Sequence, residues 1–262
     1  LLHNYAGIWP RSAMTDFVAQ LFSLEGKTAI VTGASRGIGA GIAIAFKRAG
    51  ANLVCLARSQ EASDPCLADN YRSCDITDPG EFKVVCQEAS SEYGSIEILV
   101  NAAGVTYPMA DGEISSEKLQ TTLATNLVGA YQCCELVSTY MVHGGSIINV
   151  TSIGSIQAFP GNPSYAASKG GLRMLSKSLA LDLSDNSIRV NNLVPGYIET
   201  DMTRQNRQDP AEHKKRLRRM IAPRWGLVDD LVGGAIFLAS DASSYVTGVD
   251  LVVDGGWLAK GL

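Results

Sequence analysis

Short apolar runs recur along the chain at positions 28–32, 52–56, 71–75, 96–101, 146–150, 188–194 and 250–254, each short enough to be a buried strand. Between them the apolar residues change to helical spacing, most clearly over 40–49, 78–93, 116–142, 163–183 and 228–239. Strands alternating with helices predict a parallel sheet joined by right-handed crossovers, that is, a doubly wound α/β fold with helices on both faces. One interval differs. Residues 58–71 leave little room and contain Asp64-Pro65, so the crossover there is expected to be brief or irregular. No internal repeat or low-complexity tract interrupts the pattern.

With 262 residues the chain has the size of one large domain, and the unbroken alternation favours one over two. A formal net charge of -4 argues against a protein that binds nucleic acid through its overall field. No apolar run reaches the roughly 18 residues needed to cross a bilayer, so a soluble protein is expected. The six cysteines are scattered without a C-x-x-C pair, which points to reduced thiols in a cytoplasmic protein rather than disulfides. His3, His143 and His213 lie far apart and offer no metal-ligand spacing.

Two local patterns carry chemistry. The first apolar run leads into Thr32-Gly33-Ala34-Ser35-Arg36-Gly37-Ile38-Gly39 and then into a helix. Glycine lacks the Cβ that would keep a pyrophosphate from backbone amides and a helix N-terminus, so this turn reads as a dinucleotide cradle of G-x-x-x-G-x-G spacing. The second pattern is Tyr165 followed four positions later by Lys169, which places phenol and ammonium on one helix face. A free phenol has a pKa of about 10 and a nearby cation favours its ionised form, so Lys169 is expected to tune Tyr165 for proton transfer. Ser152 follows the apolar run at 146–150, at a strand end where α/β sheets bind ligands. A tyrosine and lysine at this spacing also occur on ordinary solvated helices; the glycine turn in the same chain favours a carbonyl/alcohol redox site.

Taken in order, the glycine turn, Asn101-Ala102-Ala103-Gly104, Asn126, Ser152, Tyr165, Lys169 and Pro195-Gly196 make the chain resemble the short-chain dehydrogenase/reductase family over about residues 22–258. The resemblance implies a Rossmann-type fold, a nicotinamide cofactor and a catalytic tetrad of Asn126, Ser152, Tyr165 and Lys169. In it, Ser152 holds the substrate oxygen, Tyr165 moves its proton, Lys169 also binds the nicotinamide ribose, and Asn126 positions a water in a proton relay. The cofactor contacts it implies are Gly33, Ser35, Arg36, Ile38, Gly39, Arg58, Asp75, Ile76, Asn101, Ala102, Gly104, Tyr165, Lys169, Pro195, Gly196, Ile198 and Thr200. The family usually has Asn-Asn-Ala-Gly where this chain has Asn101-Ala102-Ala103-Gly104, which removes one polar side chain near the cofactor. The expected organisation is an extension at 1–21, with Met14 as the natural start, then a single dinucleotide-binding catalytic domain at 22–262 with a small helical substrate lobe at about 200–225.

The second strand ends Leu56-Ala57-Arg58, with no acid to accept a ribose 2′-hydroxyl, and Arg58 with Arg36 can clamp a 2′-phosphate. NADP(H) is therefore expected over NAD(H). The lobe is basic, through Arg204, Arg207, Lys214, Lys215, Arg216, Arg218 and Arg219, a pattern that fits either a solvated helix face or the attraction of an anionic substrate. Phe22-Ser23-Leu24-Glu25-Gly26-Lys27, Arg224-Trp225-Gly226 and Val253-Asp254-Gly255-Gly256-Trp257-Leu258 are similar to the gluconate 5-dehydrogenases and deoxy-gluconate dehydrogenases of that family. This likeness implies reversible hydride transfer at a secondary alcohol of a sugar acid or polyol. Two alternatives stand beside it: a 3-oxoacyl carrier-protein reductase, which uses the same tetrad, and a non-catalytic nucleotide-binding or scaffold protein. Apolar residues on more than one face of the helices at 116–142 and 163–183, and the bulky Trp257-Leu258, suggest subunit contacts. Family likeness makes these a homotetramer.

Overall fold

A computed structural model describes residues 11–109 and 114–260. Of the extension expected at 1–21, residues 1–10 lie outside the described residues, and Arg11–Phe22 form a helix, α1, that the apolar pattern did not predict. The rest follows as β1 (Thr28–Thr32), α2 (Gly37–Arg48), β2 (Asn52–Ala57), β3 (Tyr71–Ser73), α3 (Pro79–Tyr93), β4 (Ile98–Asn101), α4 (Ser116–Leu123), α5 (Ala130–Ser138), β5 (Gly145–Val150) and α6 (Pro163–Asp182). It ends with β6 (Ile188–Pro195), α7 (Arg204–Gln208), α8 (Pro210–Leu217), α9 (Asp229–Ala239), β7 (Asp250–Val253) and α10 (Trp257–Lys260). The strands form one parallel sheet in the order β3-β2-β1-β4-β5-β6-β7. Strand order reverses between β1 and β4, and a cleft opens beyond the carboxyl ends of strands at such a switch point.

Alternate strand residues feed two separate cores, as the two-residue period of a strand requires. Ala29, Val31, Ile98 and Val100 join Ile42 and Phe46 of α2 and Leu231, Ala235 and Leu238 of α9. Ile30 and Leu99 join Phe82 and Val85 of α3 and Cys133 and Val137 of α5 on the other face. Each fully buried Phe or Ile stabilises the fold by about 1.5–3 kcal/mol. Helix starts are specified locally: Asp78 accepts from the amides of Gly80 and Glu81, with Pro79 at the first helical position of α3. The crossover at 58–71 is a 3₁₀ segment, Pro65–Asn70, capped by Asp64, in keeping with the irregular connection expected there.

The helix expected over 116–142 is instead divided. A wide turn, Ala124–Gly129, separates α4 from α5, and α5 ends at Ser138. One extra residue per turn does not disturb an apolar stripe enough to be read from sequence, and such widened turns gather at functional sites. Gly129 packs here against Ile76, where a Cβ would stand 3.1 Å from the Ile76 carbonyl oxygen.

One row across the sheet is polar. Asn101, Asn149, Asn192 and Asp250 are in register on β4, β5, β6 and β7. Asn101 Nδ2 donates to Asn149 Oδ1 at 2.9 Å, Asn149 Nδ2 to Ser176 Oγ at 2.8 Å, and Asn192 Nδ2 to Asp250 Oδ1 at 2.9 Å. Ser176 Oγ, on α6, lies 2.6 Å from Asn192 Oδ1 and so closes the row. All six cysteines are free thiols, and only Cys66 is exposed. Among the described residues no helix is long and apolar enough to cross a membrane.

Candidate active site

The glycine turn between β1 and α2 lies at the switch point. Gly33 has φ +69°, and a Cβ on it would lie 2.5 Å from the amide nitrogen of Ala103. A Cβ on Gly39 would lie 2.3 Å from the Gly33 carbonyl oxygen. Only glycine allows the turn, the helix and the β4 loop to close together this tightly. Arg36 at the α2 N-cap makes no side-chain cap, which leaves the first N–H groups of the helix without partners and facing the cleft. This cleft, of about 610 Å³, is lined by Gly33, Ser35, Arg36, Ile38, Gly39, Arg58, Asp75, Ile76, Ala102, Gly104 and Thr200. Its uncapped helix end and the two arginines fit a phosphorylated dinucleotide. Glu61, Ser59 and Ser63 also line it, and their place was not legible in the sequence. Although no acid stands at the β2 end itself, Glu61 lies just beyond it.

A second cavity of about 450 Å³ shares Ile38, Ala102, Gly104 and Thr200 with the first. Ser152, Tyr165, Lys169, Pro195, Gly196 and Ile198 all line it. Ser152 stands just after β5, where its hydroxyl accepts the Gly154 amide at 3.0 Å, and Tyr165 stands in the first turn of α6. Both hydroxyls line this cavity; burial raises the phenol above its ordinary pKa, and the neighbouring Ser152 hydroxyl partly opposes that. Lys169 is buried, donates to the Val150 carbonyl at 2.7 Å, and is brought down to about 8 by burial. Gly104, which lines both spaces, leaves room beside the ammonium: a Cβ there would lie 3.6 Å from Lys169 Nζ.

Asn126 lies in the wide turn behind this pair. Its Oδ1 accepts the Val105 amide at 2.8 Å, and its Nδ2 donates to the Val105 carbonyl at 2.9 Å and to Ser168 Oγ at 3.0 Å. The side chain thus staples the β4 loop to α6. Asn101 does not line the cleft where it was expected. Its side chain is buried in the polar row, donating to Asn149, the Ala130 carbonyl and Cys134 Sγ. The last residue of β4 points into the sheet layer, and the backbone turns toward the cleft only from Ala102 onward. Asp75 accepts from the amide and hydroxyl of Thr77, which fixes the loop beside Ile76.

The lobe covers the second cavity with α7 and α8. Most of its basic residues face solvent or acids: Arg204 pairs with Asp201, Arg207 with Glu199 and Lys215 with Glu212. Of the seven cations named from the sequence, Arg216 alone lines the cavity. Arg224 fastens the lobe to α9 through a two-pronged pair with Asp230 at 2.6 and 2.8 Å, which with the Leu227 amide holds that carboxyl down at about 2. Trp225 packs edge-on against Tyr197, with ring centroids 5.5 Å apart, and donates to His213 at 3.0 Å. Trp257, expected at a subunit contact, is instead buried against Tyr197 at 4.8 Å. Among the described residues no group of His, Cys, Asp and Glu could hold a metal.

An uncapped helix terminus at a cleft that adjoins a cavity lined by a serine, a tyrosine and a lysine is the layout of an oxidoreductase that sets a dinucleotide against a carbonyl or alcohol. Residues 33–258 match the family described as Enoyl-(Acyl carrier protein) reductase. The chain is 35% identical to 2-dehydro-3-deoxy-D-gluconate 5-dehydrogenase from Dickeya dadantii (strain 3937), over 93% of this chain and 100% of that protein. It is 36% identical to a 3-oxoacyl-[acyl-carrier-protein] reductase from Thermotoga maritima, over 89% of this chain and 98% of that protein. Its fold is similar to a gluconate 5-dehydrogenase from Burkholderia cenocepacia J2315 crystallised with NADP and tartrate: TM-score 0.87, 35% identity, 92% of this chain and 99% of that one. The chain belongs to the short-chain dehydrogenase/reductase family and is an oxidoreductase.

Proposed function

We propose that this chain interconverts a ketone and a secondary alcohol on a sugar acid or polyol, with NADP(H) as cofactor. The observation that carries the reading is that Ser152, Tyr165 and Lys169 line one cavity, which shares Ile38, Ala102, Gly104 and Thr200 with the cleft at the α2 N-terminus. Ser152 holds the substrate oxygen. Tyr165 gives its proton to that oxygen during reduction and takes it back during oxidation; burial keeps the phenol protonated at neutral pH, ready to act as the acid. The nicotinamide, when bound, supplies or accepts the hydride at the same carbon. Lys169, facing the cleft past Gly104, holds the nicotinamide ribose. Because the amide of Asn126 is committed to Val105 and Ser168, a water in the relay meets its main chain in the wide turn.

Arg36 and Arg58 support NADP(H), as do the relatives crystallised with NADP, while Glu61 gives the cleft one carboxylate that can receive a ribose hydroxyl. The catalytic unit spans 22–262 with its substrate lobe at about 200–225, in a cytoplasmic homotetramer. Exposed Val128, Tyr131, Met174 and Leu181 on α5, α6 and the turn between α4 and α5 supply apolar surface for such contacts. Light scattering is expected to find a tetramer at micromolar concentration. The second reading, a 3-oxoacyl carrier-protein reductase, is favoured by the Thermotoga relative. All four tetrad positions are filled, which weighs against a silent scaffold. Keto-gluconates, ketoses and an acetoacetyl thioester, compared by NADPH absorbance, separate these readings. Turnover of the thioester alone would overturn the sugar reading.

A further inference from the structure

Arg216 and Asn162 both line the cavity beside Ser152 and Tyr165, and each has one buried side-chain atom without a hydrogen-bond partner, Arg216 Nε and Asn162 Oδ1. An unpaired buried donor or acceptor costs about 1–3 kcal/mol, so these two side chains at the cavity wall are where a ligand can complete the bonding. Their surroundings define that ligand. The Arg216 guanidinium is fixed on three sides: Nη1 bonds both the carbonyl and the carboxylate of Glu212, and Cζ lies 5.0 Å from the centroid of the Tyr197 ring. Held in this way, the planar side chain lines the cavity, and the edge of a guanidinium suits a carboxylate. Glu212 balances the charge of Arg216, so recognition here works by directed hydrogen bonding rather than by a general positive field.

Asn162 ends the loop before α6, three residues ahead of Tyr165. Its Nδ2 donates to Thr106 Oγ1 at 2.7 Å. Turning the amide over would exchange an orphan acceptor for an orphan donor, because the Thr106 hydroxyl serves as either. A substrate hydroxyl satisfies both cases. Gln205 and Asn206 add polar groups on the lobe side of the same cavity.

We infer that Arg216 is a specificity-determining residue that receives the carboxylate of a polyhydroxy keto acid, while Asn162 receives a hydroxyl of the same substrate near the reacting carbon. The inference rests on the reading of the chain as a ketone/alcohol oxidoreductase and narrows it to acids over neutral polyols. An acyl thioester offers neither group at these positions. Of the lobe's seven cations, this assigns anion recognition to the one that lines the cavity, with its side chain 15% exposed.

The test uses the full chain with NADPH and four substrates: a six-carbon keto-aldonate, its deoxy analogue, the ketose of equal chain length that lacks the carboxylate, and an acetoacetyl thioester. Arg216→Met is expected to lower kcat/KM for the keto-aldonate roughly 10- to 100-fold, mainly through KM, and to change that of the ketose little. Arg216→Lys keeps the charge without the Nε edge and is expected to recover only part of the loss. Asn162→Ala is expected to erase the preference for the keto-aldonate over its deoxy analogue. Thermal unfolding and NADPH binding, measured on each variant, register damage to the lobe or cleft. Equal losses on acid and ketose for Arg216→Met would overturn the inference and leave the sugar reading standing. A parent enzyme that reduces only the thioester would remove the reading itself.

Discussion

Lys169 Nζ donates to the carbonyl oxygen of Val150 at 2.7 Å, joining α6 to the last residue of β5, two positions before Ser152. This bond sets the distance between the strand that carries the serine and the helix that carries the tyrosine. Its ammonium is buried, and burial lowers it from 10.5 to about 8. Below about pH 8 the folded chain carries the whole cost of a buried charge. As pH rises from about 8 to 10.5 the folded state gives up this proton before the unfolded state does, and the cost disappears. Lys169→Met is therefore expected to unfold at higher temperature than the parent at pH 7, by up to about 3 kcal/mol less the lost hydrogen bond, with the gap narrowing above pH 8. Calorimetry from pH 6.5 to about 10 checks this; a constant gap would show that burial does not depress the lysine.

Replacing Tyr165 by Phe removes the proton donor and leaves the ring in place. Turnover is expected to fall roughly 10²- to 10⁴-fold while NADPH affinity stays close to that of the parent. Stopped-flow fluorescence for binding and absorbance for turnover separate the two quantities. Unchanged turnover would take the phenol out of the reaction.

The parts of the site that were legible in the sequence are those whose geometry is local. Tyr165 and Lys169 share a helix face by spacing alone, and the turn from Gly33 to Gly39 has to be tight because of its glycines. Ser152 could be placed because a strand of buried residues ends just before it. The strands also matched closely, since parallel strands buried on both faces leave continuous apolar runs. Tertiary features were hidden. The wide turn at Ala124–Gly129 exists because Asn126 reaches Val105 and Gly129 meets Ile76, contacts between segments far apart in the chain. Arg216 looks like its basic neighbours in the sequence and is set apart from them by packing over Tyr197 and lining the cavity. Asn101 sits in a cofactor motif, yet it turns into the sheet because its register partner is another asparagine.

Arg36 and Arg58 flank the cleft on the α2 and β2 sides, and both are exposed. A 2′-phosphate gains charge-assisted bonds from them that a 2′-hydroxyl cannot use. Arg58→Ala and Arg36→Ala are each expected to raise KM for NADPH roughly 10-fold or more and to leave NADH kinetics nearly unchanged, with the two effects partly additive. Glu61→Gln is expected to act in the opposite sense and weaken NADH. Initial rates with both nucleotides give the ratios. An equal loss with NADH and NADPH in the arginine variants would place these side chains outside 2′-phosphate recognition.

Asp250 closes the polar row that begins at Asn101, and its carboxylate is the row's only net charge on the sheet. Burial works against its ionisation, but the bonds from Arg173, Asn192 and Lys177 outweigh burial and hold the carboxyl below its usual value. A depressed acid contributes stability at pH above its unfolded value of about 3.9, and that contribution fades as pH falls through the folded value. Asp250→Asn is therefore expected to flatten the acid side of the stability curve. Asn149→Ala acts deeper in the row: it removes one hydrogen bond each from Asn101 Nδ2 and Ser176 Oγ, which keep their other partners, and leaves a cavity beside an Asn101 Oδ1 that already has no partner. A loss of about 1–3 kcal/mol in urea unfolding at pH 7 is expected, roughly the net worth of two buried hydrogen bonds. Because Ser176 belongs to α6, the same substitution is expected to loosen the helix that carries Tyr165 and to lower kcat more than it raises KM. A stability loss with kcat unchanged would show that the row supports the sheet without positioning the phenol.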